Sequence, residues 1–162
     1  MNLITLKKLS LIINDNMFNS ELEQSSIIKI QKVSKSDIRF LYNLLKERDK
    51  RANISHKSLP TYPQHVHFFL SKPYKAWYII KWKNKKAGSI YLSNQDEIGI
   101  FLRKKFHNLG IGNKALKILM KKHPCPRYLA NINPKNSKSI KFFKKNGFKL
   151  IQYTYEMIPL GK

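Results

Sequence analysis

Residues 97–122 read EIGIFLRKKFHNLGIGNKALKILMKK, and a change of period inside this stretch decides the fold. Ile98, Ile100 and Leu102 alternate with Gly99, Phe101 and Arg103 as in a strand, whereas Ile111, Ala115, Leu116 and Leu119 recur at helical spacing. The switch falls at His107-Asn108-Leu109-Gly110-Ile111-Gly112. Glycine there permits φ > 0 and close backbone approach, and the first free N–H groups of the helix point outward with the positive end of its dipole. A strand, a glycine-bearing turn and an amphipathic helix together form a cradle for a pyrophosphate.

Gly110, Gly112 and Ala115 also satisfy G-x-G-x-x-A, the dinucleotide fingerprint. That reading needs an acid at the end of the following strand to hold the ribose hydroxyls. Between Glu97 and Glu156 there is no Asp or Glu, and the motif follows an apparent hairpin instead of opening a first βαβ unit.

Residues 107–112 resemble the Gln/Arg-x-x-Gly-x-Gly/Ala signature of the GNAT superfamily of acyl-CoA-dependent N-acetyltransferases, with His107 standing where Gln or Arg is usual. A second block, residues 136–148 (NSKSIKFFKKNGF), is similar to that family's downstream motif of an Asn, a short helix, an aromatic and Gly-Phe. Both motifs occur in the family's order and separation, and the resemblance extends back to about Ile27.

The resemblance implies a mixed α/β fold. It would have a mostly antiparallel central sheet, helices on both faces and a splayed pair of parallel strands holding the pantetheine arm of acetyl-CoA. It further implies backbone contacts to the cofactor from Ile100, Phe101 and Leu102. The pyrophosphate would lie on Asn108, Leu109, Gly110, Ile111, Gly112 and Asn113, and the arm would meet Asn136 and Phe143. Gly147 would end the second motif's helix in αL before Phe148.

At 162 residues the chain has the length of one domain with a sizeable core. We expect an extension over residues 1–25 and a single acetyltransferase-like domain over 26–162. No long apolar run predicts a transmembrane helix, and the charges within residues 1–8 argue against a secretory signal. One cysteine, Cys125, permits no intrachain disulfide and fits a cytoplasmic location. Five scattered His and that Cys show no metal-ligand spacing, so no metal is expected.

The formal charge of +23 would steer anionic ligands. Lysine is spread along the whole chain and Arg is scarce, which argues against a nucleic-acid module even though Trp77, Tyr78, Trp82 and Tyr91 could stack bases. Such a module, retaining the fold without activity, is the competing class. No membrane partner is expected, and the chain is read as a monomer or homodimer.

Outward from the cradle, 27–33 reads as a strand. Ser34 and Asp37 stand at capping-box spacing before a helix to about Leu45 with Ile38, Leu41, Leu44 and Leu45 as its apolar stripe. A loop over 51–62 precedes a short helix over 63–70. Strands over 76–82 and 87–93 flank a hairpin turn at 83–86. Further strands are expected over 128–132 and 148–157, with a helix over 136–145.

Acetyl transfer requires a deprotonated amine, a polarised thioester carbonyl and a proton for the departing thiolate. A backbone N–H near Leu102 is the candidate oxyanion donor. Glu97, where many family members place an acid, is the candidate base. Many members carry a Tyr at the position of Phe143, whose ring donates no proton. Either the thiolate leaves without a protein acid, or Tyr153 or Tyr155 substitutes. Residues 50–75 are expected to supply the acceptor site, with Arg51, His56, Tyr62 and His65 as candidates for a small-molecule amine such as an amino sugar. A protein N-terminus or ribosomal protein is the alternative acceptor.

Overall fold

The computed structural model describes residues 27–49 and 58–157. The expected extension over 1–25 lies outside the described residues, as do the site candidates Arg51 and His56. Four strands, β1 (Ile28–Lys32), β2 (Ala76–Trp82), β3 (Lys85–Leu92) and β4 (Ile98–Leu102), form one antiparallel sheet in the order β1-β2-β3-β4. The helices are α1 (Ile38–Lys46), α2 (Tyr62–Leu70), α3 (Ile111–Lys122) and α4 (Ser137–Lys145).

Capping chemistry sets the helix starts where the sequence places them. The Asp37 carboxylate accepts from the Ser34 N–H at 2.8 Å and from its hydroxyl at 2.9 Å, and a 3-10 turn over Lys35–Asp37 leads into α1. For α2, the Thr61 N–H donates to the Gln64 side chain at 2.8 Å, with Pro63 in the first turn. The β2–β3 turn is shorter than expected. Lys83 and Asn84 both take positive φ, 46° and 61°, the conformation of a two-residue type I′ turn, so β3 starts at Lys85.

The period-2 pattern then assigns the two faces of the sheet. Ile28, Tyr78, Ile80, Ile90, Leu92 and Ile98 are buried with Ile111, Ala115, Leu116 and Leu119 of α3. Ala87 joins that face because a register shift opposite Ile80 and Lys81 reverses the alternation of β3. On the other face Trp77 meets Phe69 of α2 at 5.5 Å between ring centres, Ile79 is fully buried, and α1 covers β3. Helices therefore lie on both faces.

The Lys86 Nζ to Asp37 Oδ1 ion pair, 2.7 Å, ties β3 to the start of α1, with Asp37 nearly inaccessible. Burial opposes ionisation of Asp37, but the bonds from Lys86 and Ser34 outweigh it and hold its carboxyl below the usual range. A depressed carboxylate pKa stabilises the fold above the unfolded value and is lost as pH falls through the folded value. Lys86→Met is expected to cost about 2 kcal/mol at pH 7, below the usual figure for breaking a buried pair because Lys86 is partly exposed. In denaturant titrations the gap between variant and parent should narrow below about pH 4 as Asp37 protonates.

Two expected strands are not formed. Residues 128–132 contribute a single parallel bridge, Glu97 with Leu129, and residues 148–157 run without regular structure. At the bridge the Ile98 N–H donates to Leu129 O at 2.8 Å and the Leu129 N–H donates to Asp96 O at 3.0 Å. Beyond it the two segments part. The splayed parallel pair is thus one bridge at the base of a V, because Pro134 and the Asn-rich run 131–136 lead the second arm away from the sheet.

Candidate active site

The gap beyond the bridge is lined on one side by the backbone of β4. The Arg103 N–H donates to Ala87 O, and the Ser93 N–H to Glu97 O, both at 2.9 Å. In an antiparallel pair the bonding residues alternate, so Gly99 and Phe101 direct their N–H and C=O to β3. Ile100 and Leu102 direct theirs into the gap. Of the three β4 residues expected to offer backbone groups, Phe101 is committed to its partner Ser89.

At the open end of the gap a 3-10 turn, Lys104–Phe106, which the sequence reading did not foresee, carries the chain to the cradle. Phe106 is buried and anchors this turn to the core. His107 donates from Nε2 to the Leu102 carbonyl at 2.9 Å, closing the loop back on the end of β4. Asn108 and Gly110 both take positive φ, 60° and 70°. A Cβ at Gly110 would meet no atom within 4 Å, so the need for glycine there is conformational. Gly112 has a different reason. A Cβ would stand 3.0 Å from the Phe142 ring, so its lack of a side chain lets α3 lie against α4.

The N-terminus of α3 carries no side-chain cap, in contrast to α2 and α4, which are capped by Thr61 and Asn136. Its first-turn amides face a loop of exposed residues, Asn108, Leu109 and Gly110. This is a donor array for which no side-chain cap is supplied among the described residues. Asn113 is held by Asn146, whose Nδ2 donates to it at 3.0 Å. The side-chain oxygen of Asn136 accepts the Ser139 N–H at 3.1 Å.

At the base of the V, Glu97 accepts from Asn131 Nδ2 at 2.7 Å and from Ser93 Oγ at 3.5 Å, and its own N–H donates to Ser93 Oγ at 3.1 Å. Phe143 is 6 % exposed and lies edge-on to Phe142 and Phe148. Tyr153 and Tyr155, expected on a last strand, are instead 74 % and 91 % exposed on the irregular segment.

The described acceptor candidates gather away from the cradle. Tyr62 and His65 sit one turn apart on α2 and both pack on Tyr42 of α1, at 5.1 and 5.4 Å between ring centres. The Arg39 guanidinium lies 4.5 Å over Tyr62. His65 is 6 % exposed, and burial holds its pKa below the usual imidazole value. Cys125 donates to Asp96 Oδ1 at 3.3 Å, and burial raises its thiol pKa, which keeps it protonated. Among the described residues no group of three or more His, Cys, Asp or Glu is placed to hold a metal, and no helix is long and apolar enough to cross a membrane.

The sequence reading missed an open cavity of about 500 Å³ where α1 ends beside β4, lined by Lys46, Glu47, Arg48, Asp49, Arg103, Lys104 and Lys105. The Arg103 Nε donates to Glu47 Oε1 at 2.9 Å across it. Neither residue carries a local signal, since their partnership spans 56 positions.

The family described as Acetyltransferase (GNAT) domain matches residues 28–149, about three quarters of the chain. The chain belongs to the GNAT acetyltransferase family. No curated protein matches it by sequence. Among solved structures, a domain from Methanocaldococcus jannaschii is 23 % identical, with a TM-score of 0.69 over 80 % of this chain and 92 % of that one. RimL, a ribosomal L7/L12 alpha-N-protein acetyltransferase in complex with coenzyme A, is 17 % identical, with a TM-score of 0.64 over 80 % and 84 %. YncA of Salmonella typhimurium, a putative acetyltransferase with its cofactor acetyl-CoA, is 14 % identical, with a TM-score of 0.62 over 78 % and 82 %. At these identities the likenesses are of fold.

Proposed function

We propose that the chain moves an acetyl group from acetyl-CoA to a primary amine of a small molecule, such as an amino sugar, by direct transfer in a ternary complex. The observation that carries this reading is the V between β4 and residues 129–133. It is pinned at Glu97 and Leu129 and opens toward an uncapped helix N-terminus. The residues present fit acetyl-CoA. The amides of Ile111, Gly112 and Asn113 and the positive-φ loop at Asn108 to Gly110 would take the pyrophosphate. Ile100 and Leu102 would hold the pantetheine arm on one side and the Asn136 amide nitrogen on the other.

Bound acetyl-CoA supplies an activated thioester. The Leu102 N–H, directed into the gap, would stabilise negative charge developing on the acetyl carbonyl oxygen. Glu97, oriented by Asn131 and Ser93, would take the amine's proton through a chain of water, since it stands five residues, about 16 Å at strand rise, from Leu102. Phe143 is sealed among phenylalanines and the two C-terminal tyrosines face solvent, so a proton for the thiolate would come from water. Glu97→Gln is expected to lower thiol release by about 100-fold at neutral pH, with acetyl-CoA affinity retained. Calorimetry with acetyl-CoA tests the reading directly: no binding at physiological salt overturns it, and salt-sensitive retention on DNA in its place would select the nucleic-acid module.

A further inference from the structure

We infer that the Tyr91 hydroxyl is a step in the proton path from the acceptor amine to Glu97, standing over Gly99 where it divides that path into two shorter spans. The inference rests on the acetyltransferase reading and deepens it.

The first observation is the face on which these groups meet. Ile98, Ile100 and Leu102 pack with the α3 core, so Glu97, Gly99 and Phe101 belong to the opposite face of the same strand line. In β3, Ile90 and Leu92 are on the α3 side, which puts Tyr91 on that opposite face, directly across from Gly99. Its side chain lies over β4: a Cβ on Gly99 would fall on the Tyr91 hydroxyl oxygen and the adjoining ring edge. Gly99 is not among the glycines with positive φ. Its missing side chain therefore makes room for this phenol and serves no turn.

The second observation is spacing. Gly99 stands about 7 Å beyond Glu97 and about 10 Å before Leu102 at strand rise. A hydroxyl at this point both accepts and donates, so each span needs only one or two bridging waters.

The third is how the hydroxyl is held. Tyr74 stacks on Tyr91 with 3.9 Å between ring centres and 10° between planes, and Trp77 meets Tyr74 edge-on at 5.0 Å. Burial and the adjoining Tyr91 hydroxyl push the Tyr74 phenol well above its usual range, so Tyr74 stays protonated and offers its hydrogen to Tyr91. The charged groups about the pair are Glu97 on the same face and Arg48 beyond the end of α1.

The step balances without another reactant. As the amine nitrogen bonds to the acetyl carbon, an N–H bond breaks and its proton passes to Tyr91 Oη. The proton that Tyr91 carried passes through water to the Glu97 carboxylate, and the sulfur leaves with the C–S electron pair. Tyr91 ends as it began.

The test begins with acetyl-CoA calorimetry and thiol release over glucosamine, glucosamine 1-phosphate, spermidine and a serine-terminated peptide. No binding, or no turnover of any amine, overturns the acetyltransferase reading and this inference with it. With the best amine, Tyr91→Phe keeps the ring and removes the hydroxyl. It should lower kcat roughly tenfold, less than Glu97→Gln because water can take the place of the hydroxyl, with acetyl-CoA affinity and Tm unchanged. The deficit should shrink above the pKa of the amine, where the acceptor arrives neutral. Groups in series are not additive, so Glu97→Gln with Tyr91→Phe should be no slower than Glu97→Gln alone. In ligand-free protein labelled with 13Cζ-tyrosine, the Tyr91 resonance should move on Glu97→Gln. Parental kcat in Tyr91→Phe, losses that multiply in the double variant, or a Tyr91 resonance indifferent to Glu97→Gln would each overturn the inference while leaving acetyl transfer standing.

Discussion

Leu102→Pro is expected to reduce turnover by about 100-fold to 1,000-fold, a larger loss than the accompanying fall in acetyl-CoA affinity read by calorimetry. The proposed oxyanion donor is a backbone N–H, so no ordinary side-chain substitution removes it. Proline does. Leu102 stands opposite Gly88 at a position whose N–H is not used by β3, because the flanking bond is Arg103 N–H to Ala87 O. Proline there removes no ladder bond, and the preceding residue is already extended, as proline requires. The Leu102 side chain also approaches α3, since a Cβ at Gly112 would lie 3.6 Å from its Cδ1. Leu102→Ala is therefore the control that loses packing and keeps the donor. Single-turnover thiol release should separate the two variants by at least tenfold. Equal rates would show that this N–H does not meet the reacting carbonyl.

Gly88→Ala carries the largest expected effect on stability. An added Cβ would stand 2.1 Å from Phe101 O and 2.9 Å from Leu102 Cα, both backbone atoms of β4. Side chains approach most closely at pairs that exchange no hydrogen bonds, and here no rotamer can relieve the clash. The strands must separate. The cost should be about 3 kcal/mol, or roughly 6–12 °C in Tm for a chain of this length. Because the same displacement moves Leu102 and Arg103, acetyl-CoA binding should weaken with it. Gly99→Ala is the informative contrast. Its Cβ would meet the Tyr91 ring at 2.1 Å, but a ring at the end of a side chain can swing aside where a backbone cannot. Its Tm should fall by distinctly less, and equal losses would mean that Tyr91 is as immovable as β4.

The sequence carried its reading furthest where structure is local. The capping pair Ser34 with Asp37, the β2–β3 hairpin and the Gly110 turn are each decided within about four residues by backbone preference and hydrogen-bonding reach. Local reading erred where a strand needs a partner to exist. Residues 148–157 alternate apolar and polar as a strand should, yet among the described residues no strand pairs with them, and Ile151, Tyr153, Tyr155 and Met157 stand exposed. Residues 128–132 likewise keep only the bridge at Leu129. Period indicates which face a residue would occupy, whereas pairing depends on where the rest of the sheet ends.

The division is sharpest at the site. By itself the sequence determined the family, through two motifs in order, and the turn at Gly110 that opens α3, because a helix N-terminus and a left-handed glycine are properties of consecutive residues. Only the tertiary structure decided which β4 amides face the gap. That depends on register against β3, which a bulge at Ala87 and the Arg103 N–H to Ala87 bond fix from the far side. It also decided that His65 is buried on Tyr42 and that Arg103 meets Glu47. Charges spread over a chain of +23 carry no address in one dimension. They acquire one when the end of α1 and the end of β4 are folded onto the same side of the V.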